Sequence, residues 1–322
     1  MIKKTLCTLA VIIACPLTQP AVQAASFPQG PITITVPYPP GSAADTTARL
    51  VAQGMAKELQ TSIIVENRSG ASGAIGTAAG ARAKADGHHL TLIASPAVMT
   101  MLQMKQPGFD LEHDFAPIGA INEFFNTLVV NSKLGITDFG QFRQYVQKHP
   151  GTFNFATAGN ATPSDYAGRQ LSRKHGLDMT FIPYQGSTPA MLSVVSGESD
   201  GAIMVAGPAI PHIRSGQLTA LAIMAEHPLK ALPEVPSSKA SGVDIITSGW
   251  TGLVAPKNTP ADRIDILNQA LNRTLQSDSR LQETMDTYGG ILLPGTPQQL
   301  DQRIRHEIQQ LRQDMLSLYP PS

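Results

Sequence analysis

The first sixty residues after Pro31 alternate between two hydrophobic periods. Ile32-Thr33-Ile34-Thr35-Val36 sets β-branched apolar side chains on every second position, which predicts a strand. Pro37-Tyr38-Pro39-Pro40-Gly41-Ser42 interrupts it. From Asp45 to Leu59 the apolar residues Leu50, Val51, Met55 and Leu59 recur at helical spacing. Ser62 to Val65 predicts a second strand, Glu66 to Gly76 a loop rich in Gly and Ser, Ile75 to Ala85 an Ala-rich helix, and Leu90 to Ala94 a third strand. This βαβαβ order implies a parallel sheet with helices on its faces.

The middle of the chain repeats the logic. Strands are predicted at Thr127–Asn131, Asn154–Ala156, Thr180–Pro183, Gly201–Val205 and Leu218–Met224, and helices at Asp138–Lys148, Ser164–His175 and Thr188–Ser196. Residues 249–255 predict a strand returning to a sheet. Two amphipathic helices close the chain: one lined by Ile264, Leu267, Leu271 and Leu275, the other by Leu300, Ile304, Ile308, Leu311 and Met315. Thr-Pro pairs at 162–163, 188–189, 259–260 and 296–297 mark helix starts, because Thr can accept from orphan N–H groups and Pro fits the first turn.

Composition narrows the class. The 322 residues suit two domains, and 42% hydrophobic content supports a sizeable core. Lys plus Arg and Asp plus Glu each number 24, so the chain has no electrostatic footprint for nucleic acid. Lys3 and Lys4, the apolar run Leu6 to Cys15 and the small-residue site Val22-Gln23-Ala24 read as a cleavable export signal over residues 1–24. Its removal takes the net charge from zero to −2 and both cysteines, Cys7 and Cys15, with it. Ile12-Ile13-Ala14-Cys15 also resembles a lipobox, which would leave a lipidated Cys15; the Val-x-Ala site favours soluble export out of the cytoplasm.

Three small-residue turns connect a strand to a helix: 37–45, 67–76 and 157–164. Helix N-termini present unpaired N–H donors at a positive dipole end, so such turns hold anions without Arg or Lys. In open α/β sheets ligands sit at the carboxyl ends of strands. None of the three is a phosphate signature, since the Lys of G-x-x-x-x-G-K-[ST] is absent. Catalytic and metal readings are poor. Ser72 lies outside a G-x-S-x-G elbow. His88 and His89 are adjacent on a strand start and point to opposite faces. His113-Asp114 lacks a third ligand, and Glu198 with Asp200 reads as a turn. No cofactor or metal is expected.

These loops in this order resemble the Bug family of periplasmic solute receptors (TctC-like) from tripartite tricarboxylate transporters. The resemblance rests on Pro31 to Gly41 with Asp45, on Val65-Glu66-Asn67-Arg68-Ser69-Gly70-Ala71-Ser72-Gly73-Ala74-Ile75-Gly76, and on Ala85-Asp86-Gly87. It continues through Pro183 to Ala190, Pro211 to Leu218 and Gly249-Trp250-Thr251-Gly252-Leu253-Val254-Ala255-Pro256. It implies an α/β, two-domain, flytrap-like receptor of the type II periplasmic binding class, with mixed sheets flanked by helices. Domain 1 would comprise 25–125 and 232–322, domain 2 residues 126–231, with crossovers near 125–130 and 225–232. A small organic carboxylate would bind between the domains. By this resemblance the ligand-binding residues are Tyr38, Gly41, Ser42, Ala43 and Asp45 from the first loop and Ser72 and Gly73 from the second. Ala158, Asn160 and Thr162 come from the third, and Tyr184 and Gly186 from the second domain. The chain departs from the family at Gly41-Ser42, where two glycines are common, and in the third loop. It is also apolar at Met204-Val205-Ala206-Gly207, where many members carry an acid or amide, which favours a plain carboxylate with an apolar or aromatic body over an amino acid.

The expected function is therefore a monomeric extracytoplasmic receptor that delivers a carboxylate to membrane transport subunits, and not an enzyme. An exported sensor acting on a signalling partner would use the same cleft. An exported hydrolase would need a nucleophile, a base and an orienting acid in one site, a set the chain does not offer.

Overall fold

The computed structural model describes residues 27–160 and 162–318, with side chains as far as Asp314. The expected signal segment, with Cys7 and Cys15, lies outside the described residues, as does Ala161 of the third loop. The first part of the chain forms β1 (Ile32–Val36), α1 (Ala43–Leu59), β2 (Ile63–Asn67), α2 (Ala74–Ala81), β3 (His89–Ala94), α3 (Pro96–Gln103) and β4 (Phe115–Asn131). Next come α4 (Phe139–Lys148), β5 (Phe153–Thr157), α5 (Pro163–His175), β6 (Met179–Pro183), α6 (Ser187–Ser196), β7 (Gly201–Val205), α7 (Ala206–Arg214) and β8 (Leu218–Ile223). The chain returns through α8 (Ser238–Ser241), β9 (Ser248–Pro256), α9 (Ala261–Ser277), α10 (Ser279–Tyr288), β10 (Gly290–Leu292) and α11 (Pro297–Leu318).

The strand order β2-β1-β3-β9-β4-β7-β5-β6 runs through both lobes, with β10 and β8 also paired to β4. The βαβ units supply the parallel pairs β1 with β2 and β3, and β5 with β6 and β7. β9 joins β3 and β4 antiparallel, so the sheet is mixed. β4 belongs to both lobes. Its residues 115–125 pair with β9, and 126–131 pair with β7 and β8. The sequence pattern predicted only its second half. The first half is interrupted by Pro117 and Gly119 and by register shifts at 117–119 and 120–122, which erase the period-two signature.

Each lobe has its own core. Ile32, Ile34, Val51, Met55, Leu253 and Leu267 belong to one cluster, and Phe142, Phe153, Phe155, Leu171 and Ile203 to another. The first crossover is β4. After β8 the chain stays with the second lobe: Leu229, Leu232 and Val235 pack on Ile210 and Ile223, while Val243 and Ile245 join the Phe142 cluster. The return to the first lobe runs through Ile246 to Ser248. There Thr247 N–H donates to Met224 C=O and Asn126 N–H to Thr247 C=O, tying the two connections together.

α7, α8 and α10 carry no helix expectation from sequence. Pro208 and Pro211 interrupt the periodicity of α7, whereas Pro96 opens α3 at its first helical position. α6 begins at Ser187, capped by Gly186, so Thr188-Pro189 sits inside its first turn instead of preceding it.

Candidate functional site

A cavity of about 530 Å³ opens between the lobes where the strands end. Five helix N-termini reach it: Ser42 and Ala43 of α1, Ser95 and Pro96 of α3, Thr162 to Ser164 of α5, Ser187 of α6, and Val205 before α7. Among the described residues, none that lines it is charged. Phe124, Met204 and Val205 give it an apolar wall. A second cavity of about 590 Å³ continues to the mouth, shares Ser42, Ala43, Phe124, Ser187, Met204 and Val205, and adds Gly41, Thr188 and Tyr288.

The first loop is held from behind. Ser42 caps α1, its Oγ accepting from Asp45 N–H at 3.3 Å. Asp45 is 3% exposed. Its carboxylate accepts from Gly41 N–H at 2.9 Å, Arg49 Nε at 3.0 Å and Asn67 Nδ2 at 2.8 Å, and Asn67 also donates to Tyr38 C=O at 3.1 Å. Burial pushes the Asp45 carboxyl up, but Arg49, the Gly41 N–H and Asn67 outweigh it and hold it at about 2. Thr46 N–H donates to Ser42 C=O. Ala43 and Ala44, whose N–H groups are first-turn donors of α1, line the cavity.

Tyr38 lines the cavity with its ring beside Gly73. Its hydroxyl is buried, with no hydrogen-bond partner among the described residues. Burial pushes it up to about 12, so it stays a donor at any ordinary pH. The second loop carries four successive positive φ angles: Gly70 at 135°, Ala71 at 47°, Ser72 at 53° and Gly73 at 93°. Two of these four residues have a Cβ, which makes the loop strained. Ser72 is exposed, Gly73 is buried against Pro37 and Tyr38, and neither lines the cavity.

The second lobe repeats the first-loop device at the same spacing. Thr162 Oγ1 accepts from Asp165 N–H at 3.4 Å, and buried Asp165 pairs with Arg169 at 3.0 Å, as Ser42, Asp45 and Arg49 do in α1. Ala158 and Thr162 line the cavity, but the Ala158 N–H donates to Ser164 Oγ at 2.8 Å. Asn160 is exposed and outside the lining. Tyr184 turns its hydroxyl to Ser199 at 3.0 Å, inside the second lobe. Gly186, at φ 114°, places Ser187 in the lining.

Sequence reasoning passed over Ser95-Pro96, Ser187, Phe124 and Trp250 as lining residues. Ser95-Pro96 directly after an apolar strand was a usable helix-start signal; Phe124 lay in the unrecognised half of β4. His88 precedes β3 instead of lying in it, and its Nδ1 and that of His89 lie 3.5 and 3.7 Å from Asp86. Among the described residues no group of three side chains could hold a metal ion, and no helix is long and apolar enough to cross a membrane.

The model of the tripartite tricarboxylate transporter family receptor matches residues 47–314. Protein BugT of Bordetella pertussis is 30% identical over 309 residues, covering 95% of this chain and 94% of its own. A UPF0065 protein of Agrobacterium vitis is 33% identical over 290 residues, covering 89% and 84%. Among solved structures, MatC from Rhodopseudomonas palustris with bound malate superposes with a TM-score of 0.74 at 28% identity, covering 89% of this chain and 99% of that one. The mixed sheet, the two lobes and the loop order lead to one assignment: the chain belongs to the receptor family of the tripartite tricarboxylate transporters, whose members are periplasmic solute-binding proteins.

Proposed function

We propose that this receptor captures a small organic carboxylate in the cleft between its lobes and presents it to membrane transport subunits. The observation that carries the reading is the uncharged lining at which five helix N-termini meet. Each such end stabilises an anion by about 0.3–1 kcal/mol when exposed and up to ~2 when partly buried. Ala43 and Ala44 N–H and the Ser42 hydroxyl supply donors from the first lobe, with Tyr38 donating its unpaired hydroxyl. Thr162, Ser187 and the Gly186 turn supply the opposing side. Gly41 and Asp45 shape the first loop, and Ser72 and Gly73 shape the second. Strain in the second loop is the kind stored at ligand clamps. Ala158 and Asn160 form the third turn, and Tyr184 braces it from within the lobe. Phe124, Met204 and Val205 accept an apolar body, and among the described residues no acid lines the cavity to pair with an ammonium, which favours a plain carboxylate over an amino acid. Malate in MatC supports the ligand class. Export by the leader and action as a monomer complete the reading.

Because the ligand touches both lobes only when the cleft is shut, binding shifts the population toward closure. Isothermal titration against mono- and dicarboxylates, their amides and the corresponding amino acids tests this. At least one carboxylate should bind, raising stability by about 2.7 kcal/mol at 100 times its Kd, and its amide should not. A panel without any binder overturns the reading.

A further inference from the structure

Tyr166 belongs to α5 in the second lobe, yet its side chain is buried, at 9% exposure, in a hydrophobic cluster of the first. There it joins Trp250 of β9 and Leu300, Ile304, Ile308 and Leu311 of α11. Its hydroxyl donates to the Asp314 carboxylate, one turn before the end of α11. Gln170, one turn along α5, donates to Tyr166 Oη at 2.7 Å and to Asp314 at 3.3 Å. α5 is thus anchored on the opposite lobe by an aromatic ring and two hydrogen bonds. The anchor lies one turn from Thr162, Pro163 and Ser164, which line the ligand cavity. Ser164 in turn holds the Ala158 N–H, and Thr162 Oγ1 donates to Gly159 C=O at 2.8 Å. Burial and the adjacent Asp314 carboxylate push the Tyr166 hydroxyl well above the ordinary tyrosine range, so it remains a donor at every working pH.

We infer that Tyr166 is a positioning residue: it docks α5 on α11 and so sets the third loop against the first lobe at the geometry the ligand needs. This rests on the carboxylate reading of the cleft. A ring packed in one lobe's core and carried by the other couples their relative position to the helix start that lines the cavity.

The test compares wild type, Tyr166→Phe and Asp314→Asn by three measurements. These are Kd for the tightest carboxylate of the panel, Tm, and amide exchange over residues 157–165 in the ligand-free protein. Tyr166→Phe keeps the ring and loses the bond. Kd should rise about five- to tenfold, and exchange over 157–165 should accelerate more than exchange in the β1–β3 sheet. Asp314→Asn, which keeps an acceptor, should fall between. A purely structural role would lower Tm and leave Kd and the loop's relative exchange unchanged, and that result overturns the inference. Wild-type protein that binds no carboxylate defeats the ligand reading instead, while loop exchange in the free variants still decides the role of Tyr166.

Discussion

Asp45 shows how one side chain serves position and stability together. Its carboxylate is buried and fully engaged by Gly41, Arg49 and Asn67, so it shapes the loop and presents no free oxygen to a ligand. Asp45→Ala should cost about 1–3 kcal/mol, because it strands buried donors, and should weaken carboxylate binding; chemical denaturation and titration measure the two. Its folded carboxyl sits near 2 against an unfolded value near 4. That contribution is present above pH 4 and lost as pH falls toward 2, and Asp45→Asn should flatten this acid limb. Glu307 has the opposite sign. Burial raises it to about 7, against the Trp250 indole at 2.5 Å and Arg303, which lower it. Its contribution is full below about pH 4 and fades as pH rises through 7, so Glu307→Gln should remove that decline in a denaturation series from pH 4 to 8. Tyr38→Phe deletes a buried hydroxyl that has no partner among the described residues. Folding stability should rise by about 1 kcal/mol while carboxylate affinity falls severalfold; unchanged affinity would take the hydroxyl out of the site.

At the level of elements, glycines set the close approaches on which the cleft depends. A Cβ on Gly76 of α2 would lie 2.5 Å from Arg68 C=O and 2.7 Å from Pro37 Cα. Only glycine lets α2 sit against the turn after β1, and Gly76→Ala should cost about 1–3 kcal/mol by overpacking, read by thermal unfolding. At the mouth, a Cβ on Gly207 of α7 would meet the Tyr288 backbone of α10 at 2.9 Å, across the lobes. Gly207→Ala should therefore weaken ligand binding with less effect on Tm. Much of this layer was legible in sequence: Gly201–Val205 is a strand at both ends as expected, and α1, α4 and α5 differ from expectation by one or two residues. What escaped was not periodic. The first half of β4 is buried irregularly, and α7 carries Pro211 in its interior, which breaks the helical signature although packing supports the helix. The three turns were visible as small-residue segments. Which of their residues face the cavity was not, because Phe124 and Trp250 meet the first loop through long-range pairing of β4 with β9, and Ser187 through the pairing of β4 with the second-lobe strands.

Across the whole molecule, two cores joined by β4 and by Ile246 to Ser248 leave an uncharged cavity between them, and helix starts from both lobes end there. The chemistry follows from placement: donors that helices cannot use internally are collected where a ligand can, with an apolar wall beside them. The most direct measurement is a crystal structure with the tightest carboxylate of the panel. It should show carboxylate oxygens within hydrogen-bond distance of the Ala43 and Ala44 N–H groups and of donors from α5 or α6, with no cationic side chain on the anion. A carboxylate held by an Arg or Lys side chain or a metal ion, or seated outside the cleft, would contradict the account.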